Sequence, residues 1–229
     1  MTDVTLTQQR AAKVVGVAYL FAMAAAMFAE QYVRSGIVVT NDAVATARNI
    51  VAHEQLFRLG LACTLLVIVS DVALVTALFV LLRRVSEPLA LFAAFVRLME
   101  TAVYATAALH YLDALRLLGT SPYLAALAPG EAAVLARLYV GSYGSGLNVA
   151  FIFLGIGSTV FCWLWYRSGY VPRPLAGLGV FASALLAGGS FSFVVMPSLQ
   201  RVIYPGYMVP MFFFEVGMGA WLLTRGLRA

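Results

Sequence analysis

The sequence predicts an all-α, polytopic bundle of six transmembrane helices with both termini on the cytoplasmic side. Three observations lead there. The chain is 62% hydrophobic and only 11% charged, with a mean hydropathy of +0.91, whereas a soluble domain carries about 25% charged residues. A surface so poor in charge needs a bilayer as its solvent. Its apolar residues also fall in runs of about 20, the length that spans a hydrocarbon core of about 30 Å. Barrel strands would instead show short alternating segments, and only helices or closed barrels pair every backbone group in lipid. Finally, the basic residues gather at the ends of the runs, where membrane topology places them.

In order along the chain, the first span is expected from about Val14 to Val33, behind Arg10 and Lys13. Its basic start and small residues (Ala22-Met23-Ala24) also fit a cleaved signal peptide. Its apolar run exceeds a signal core, which favours a retained helix. The second span runs from about Leu56 to Leu82 and ends at Arg83-Arg84. The third, about Leu89 to Leu118, follows Pro88, a residue tolerated at a helix start. The fourth covers about Leu147 to Tyr166, the fifth Leu175 to Met196, and the sixth Tyr207 to Thr224.

Two short helices are expected at the outer face. One covers about 41–54, with Asn41 or Asp42 as N-cap, and lies along the membrane surface. The other covers about 131–140, opened by Pro129-Gly130. The run Gly141-Ser142-Tyr143-Gly144-Ser145-Gly146 then predicts either a break or a close helix approach. All of this reads as one integral membrane domain, residues 1–229.

The distribution of Lys and Arg sets the orientation. Arg10, Lys13, Arg83, Arg84, Arg167, Arg173, Arg225 and Arg228 crowd the edge assigned to the cytoplasm, while several arginines on the other side stand beside acids. The net charge of +5 is therefore topological. With the basic residues scattered and no basic patch interleaved with aromatics, nucleic acid is not an expected partner. The expected partner is the lipid bilayer, and helices rich in small residues permit a homodimer. Cys63 and Cys162 fall at different depths and read as free thiols, since a disulfide needs Cα atoms within about 7 Å.

Ionisable residues at membrane depth mark the candidate site. At 1.5 Å per residue, Asp71 lies roughly 17 Å inside the cytoplasmic boundary, Arg97 about 13 Å, Glu100 about 18 Å and Glu215 about 15 Å. Insertion scales place the cost of such a charge in lipid at about 2.5–3.5 kcal/mol, so the four should turn inward and meet. Arg97 and Glu100 share a helix face three residues apart, and Tyr104 and Tyr111 continue it. One guanidinium faces three carboxylates. Either some carboxyls carry a proton, or a cation or cationic small molecule enters, with Tyr104 and Asn148 as further candidate ligands. The structural alternative is an ion-pair lock that fixes helix packing.

A second layer at the outer face holds Glu30, His53, Glu54, His110 and Asp113. Imidazole and carboxylate together can ligate a divalent metal, which would make the chain a metal-dependent membrane enzyme. The competing reading is an interfacial belt of ion pairs, with Glu54 and Arg58 paired four residues apart. The spacings match no strong zinc motif. No phosphate-binding loop, nucleophile elbow or His-Glu-x-x-His stretch occurs, so no cofactor is implied, and the non-enzymatic reading leads.

Five stretches in order resemble a known family: Val15-Gly16-Val17-Ala18-Tyr19-Leu20 leading to Phe28-Ala29-Glu30; Leu56-Phe57-Arg58-Leu59-Gly60; Ser70-Asp71-Val72-Ala73-Leu74; Leu89 to Leu98; and Arg167-Ser168-Gly169-Tyr170-Val171-Pro172. Together they are similar to domain-of-unknown-function family 4386, a family of bacterial membrane proteins. The resemblance implies a multi-pass inner-membrane protein of six or seven helices and brings no activity with it. It also places Glu30, Arg58, Asp71 and Arg97 on the family's polar positions. The fourth span departs, with Gly144-Ser145-Gly146-Leu147-Asn148 and Gly157 where a polar or His-containing stretch is expected. That departure argues against a family-wide metal site here.

Overall fold

The computed structural model describes residues 5–204 and 206–228. Among these there is helix and connection but no strand. Helix α1 is Leu6–Ile37, α2 Ala43–Ala52, α3 Glu54–Leu82, α4 Glu87–Leu117, α5 Pro129–Ser168, α6 Arg173–Val195 and α7 Val209–Thr224. All but α2 are long and apolar enough to cross a membrane, the last with one extra turn from Gly206. Large apolar side chains on their outer faces, such as Leu66, Val69, Phe95, Phe181 and Phe213, stay exposed. Asp71, Arg97 and Glu100 are buried. Polar inside and apolar outside is the distribution lipid demands.

The helix boundaries follow from local chemistry. Asp42 caps α2 by accepting from the Ala45 amide at 2.8 Å, satisfying one of the four amides that a helix start leaves unpaired. Asn41 just before it adopts φ 65°, a left-handed conformation in which Asn is enriched. Pro172 precedes α6, and α7 carries a proline in its first turn.

Two expectations are corrected. The short helix at about 131–140, the interruption at Gly141–Gly146 and a fourth span beginning at 147 do not appear separately; α5 runs unbroken for 40 residues. Glycine costs about 1 kcal/mol against alanine in a helix, whereas an opened backbone in lipid leaves unsatisfied groups worth several kcal/mol each. The helix therefore continues, and the small residues serve close approach: a Cβ at Gly146 would stand 2.6 Å from Ala107 Cβ. The first span also begins earlier, at Leu6, and contains a π-helical stretch, Phe28–Arg34, that periodicity did not anticipate.

The helices are shared between two compact units. One takes the described parts of 1–23, 69–102 and 148–229. Its core joins Leu78, Leu81, Leu82, Phe161, Trp165 and Phe214. At one end of this unit Gln8 is buried and donates to the Tyr170 hydroxyl at 3.3 Å, while Arg84 donates to Gln8 Oε1 at 3.4 Å. The other unit takes 24–68 and 103–147 and buries Val33, Ile50, Phe57, Tyr104, Tyr111, Val140 and Tyr143.

Candidate functional site

In the first unit, α3 contributes Asp71, α4 Arg97, Glu100 and Thr101, and α7 Glu215. The Arg97 and Glu100 side chains are 4% and 3% exposed. Arg97 Nη2 donates to Asp71 Oδ1 at 3.4 Å, and Nη1 stands 3.5 Å from Glu100 Oε2. Both distances are long beside the usual 2.7–3.2 Å for an N–H···O bond. Arg97 Nε and Nη1 and Glu100 Oε2 have no hydrogen-bond partner among the described residues.

The stem of Arg97 is clamped. A Cβ on Gly157 of α5 would lie 2.7 Å from Arg97 Cγ and 3.0 Å from the Ala93 carbonyl oxygen, so glycine is what lets α5 approach here. Thr101 donates its hydroxyl to the Arg97 carbonyl at 2.9 Å. Tyr19 of α1 faces the same charges: it lies within the electrostatic field of Arg97, Asp71 and Glu215. The sequence does not assign Gly157 and Tyr19 to this cluster, because only the rotation of α5 and α1 about their axes brings them to the arginine.

Glu215 lies within the field of Arg97, Asp71 and Glu100, yet makes no hydrogen bond or ion pair among the described residues. Its solvent-exposed surface places it as partly buried, less enclosed than the arginine. Of the four residues placed at one depth by the sequence, Asp71 and Glu100 each meet Arg97, and Glu215 stands within its field without touching it. Asn148 is partly buried on α5 and its side chain makes no hydrogen bond among the described residues.

Chemically the cluster is rich in carboxyl groups. Three carboxylates against one guanidinium leave two negative charges unbalanced when all are ionised. Taking an ion out of water costs several kcal/mol, recovered only with good geometry and further hydrogen bonds. The long contacts recover it poorly. A proton, a small cation or an ammonium group is the kind of species such a site attracts.

Tyr104 belongs to the second unit. There the Tyr143 hydroxyl donates to Glu30 Oε1 at 2.8 Å, and Arg34 Nη1 reaches Glu30 Oε2 at 3.3 Å. The Tyr143 ring stacks on Tyr111 at 4.0 Å and meets Tyr104 at 6.4 Å, while Phe57 packs on Tyr111 at 4.9 Å. Glu30 and Arg34 both lie in the π-helical stretch, a rare form that recurs at functional sites. Tyr143 and Arg34 were not singled out in the sequence; a glycine-rich flank around Tyr143 carried no signal of a buried phenol.

The candidate metal ligands separate into pairs. Glu54 bonds Arg58 at 2.7 Å, His110 Nδ1 stands 3.8 Å from Asp113, and Arg116 reaches Asp113 at 3.7 Å. His53 ends α2 and is exposed. No group of three His, Cys, Asp or Glu gathers to hold a metal among the described residues. Cys63 and Cys162 are both free.

Comparison with known proteins adds three findings. No solved structure matches the chain. An uncharacterized protein of Archaeoglobus fulgidus is 27% identical over 165 residues, which cover 70% of this chain and 80% of the relative. The model of the family described as "Domain of unknown function (DUF4386)" matches residues 14–226.

Proposed function

Because the chain belongs to that family, whose description carries no activity, we propose a function from the site itself: a multi-pass protein of the bacterial inner membrane that binds a small cation or cationic molecule at Asp71, Arg97, Glu100 and Glu215, in the manner of a small transporter. Both termini face the cytoplasm in this reading, following the arginine distribution. The observation that supports it is the carboxyl excess: two carboxylates meet one buried guanidinium at 3.4 and 3.5 Å, and a third, that of Glu215, stands within its field. Glu215, bound to neither partner, is the group that a ligand would recruit.

The test is thermal unfolding of the purified full chain in neutral detergent against a panel of alkali, alkaline-earth and alkylammonium cations. A binding site gives saturable stabilisation by one class of cation, as expected for a ligand that binds only the folded state, and Glu215→Gln abolishes it. If no cation in the panel acts, the cluster is the ion-pair lock that fixes α3 against α4. Reporter fusions at each terminus check the orientation.

A further inference from the structure

A half-open surface pocket of about 290 Å³ is lined by Arg58 of α3, by Leu112, Leu115 and Arg116 of α4, and by Gly119 and Ser121 just beyond α4. All six residues belong to the second unit. At 1.5 Å per residue, the 29 residues of α3 and the 31 of α4 measure roughly 43 and 46 Å, against a hydrocarbon core of about 30 Å. Each helix therefore reaches some 6–8 Å past the core at both ends. Arg58 is the fifth residue of α3 and Arg116 the penultimate residue of α4, which puts both guanidinium groups at headgroup level.

The lining is divided by chemistry. Two guanidiniums and the Ser121 hydroxyl supply donors, Leu112 and Leu115 supply an apolar wall, and among the described residues no carboxylate lines the space itself, Glu54 and Asp113 standing beside it as the arginines' partners. Both arginines have carboxylate partners in water. Arg58 meets Glu54 at 2.7 Å but is 56% exposed, and Arg116 is 75% exposed in a 3.7 Å contact with Asp113. Exposed pairs of this kind are worth roughly 0–1 kcal/mol, so a phosphate offering bidentate acceptors competes with them on favourable terms. The Ser121 side chain makes no hydrogen bond among the described residues.

We propose that this cavity takes the phosphodiester headgroup of an anionic phospholipid, with Arg58 and Arg116 holding the phosphate, Ser121 donating to it, and Leu112 and Leu115 covering the first carbons of the acyl chains. The volume admits a headgroup and not a whole lipid. Basic pockets between membrane helices are a known mode of headgroup recognition on the cytoplasmic side of a membrane; in the orientation proposed above this pocket uses the same chemistry at the opposite face. The site is independent of the mid-membrane cluster.

The experiment is native mass spectrometry of the full chain in neutral detergent, titrated in parallel with phosphatidylglycerol, phosphatidylcholine and inorganic phosphate. Phosphatidylglycerol is expected to be retained in preference to phosphatidylcholine. The preference should fall about fivefold on Arg58→Gln or Arg116→Gln and about 25-fold in the double variant. Arg201→Gln, a matched loss of charge elsewhere, should leave it unchanged; both lining arginines are exposed, and an unaltered melting temperature verifies that the variants fold. Equal retention of the two lipids, an undiminished preference in the double variant, or an equal fall with Arg201→Gln overturns the proposal. Displacement of the lipid by inorganic phosphate at equal concentration overturns the assignment to a lipid and leaves a soluble anion as the occupant.

Discussion

The Tyr143 hydroxyl donates to Glu30 Oε1 at 2.8 Å, so the glycine-rich middle of α5 is tethered to the π-helical stretch of α1. The same carboxylate holds Arg34 with its other oxygen at 3.3 Å. One acid thereby orients a phenol and a guanidinium at once.

Removing that hydroxyl tests its worth. Tyr143→Phe keeps the ring stacked on Tyr111 but leaves Glu30 short of a donor. A hydrogen bond to a charged acceptor contributes about 1.5–3 kcal/mol. Unfolding by sodium dodecyl sulfate in mixed micelles should register a loss in that range. A loss below about 0.5 kcal/mol would mean that water replaces the phenol at no cost.

Gly157 should tolerate nothing larger. Its Cβ would meet Arg97 Cγ at 2.7 Å and the Ala93 carbonyl oxygen at 3.0 Å, and the second of these is backbone that cannot swing away. Gly157→Ala is expected to destabilise by about 1–3 kcal/mol, the usual penalty of overpacking, although alanine is the better helix former. Unfolding curves of Gly157→Ala beside Gly177→Ala, whose Cβ meets nothing within 4 Å, isolate the effect.

Arg97 should be far more sensitive than Glu215. Arg97→Met strands Asp71 and Glu100 as buried acids without their cation, a change that costs about 3–5 kcal/mol when one partner of a buried pair is lost. The triple variant Asp71→Asn, Arg97→Met, Glu100→Gln should regain most of that stability. Glu215→Gln removes no hydrogen bond or ion pair among the described residues and is expected to stay within about 1 kcal/mol of the parent. Denaturation midpoints of the three variants rank them directly.

The cap of α2 offers a local readout. Asp42→Ala deletes the acceptor of the Ala45 amide and should cost about 1 kcal/mol. Hydrogen exchange resolved to single amides should show Ala45 exchanging several-fold faster while Ala47 and beyond change less.

Six spans, their ends apart from those of the first and the start of the fourth, and an N-cap at Asn41 or Asp42 are legible in the sequence because hydropathy, chain length and capping act within one helix. The meeting of Asp71 with Arg97 and Glu100 was also legible, since depth along a helix follows from counting residues and charges in lipid must find each other. The rest depended on rotation and curvature. The π-helical stretch changes which faces of α1 are presented, and no simple period reveals it. The continuity of α5 through Gly141, Gly144 and Gly146 is not legible in the sequence, because glycine signals both rupture and intimacy between helices. The neighbour decides between them, here Ala107 against Gly146. The aromatic packing of Tyr104, Tyr111 and Tyr143 was half visible, as the face on α4 and not as its counterpart on α5.

The unbroken 40 residues of α5 have a geometric corollary. Such a rod is about 60 Å long, whereas a bilayer with its headgroups measures about 40–45 Å. Only a lean of roughly 45° would submerge it entirely. At any gentler inclination a turn or more projects into water, a ready handle for an antibody fragment or for a protein on that side of the membrane.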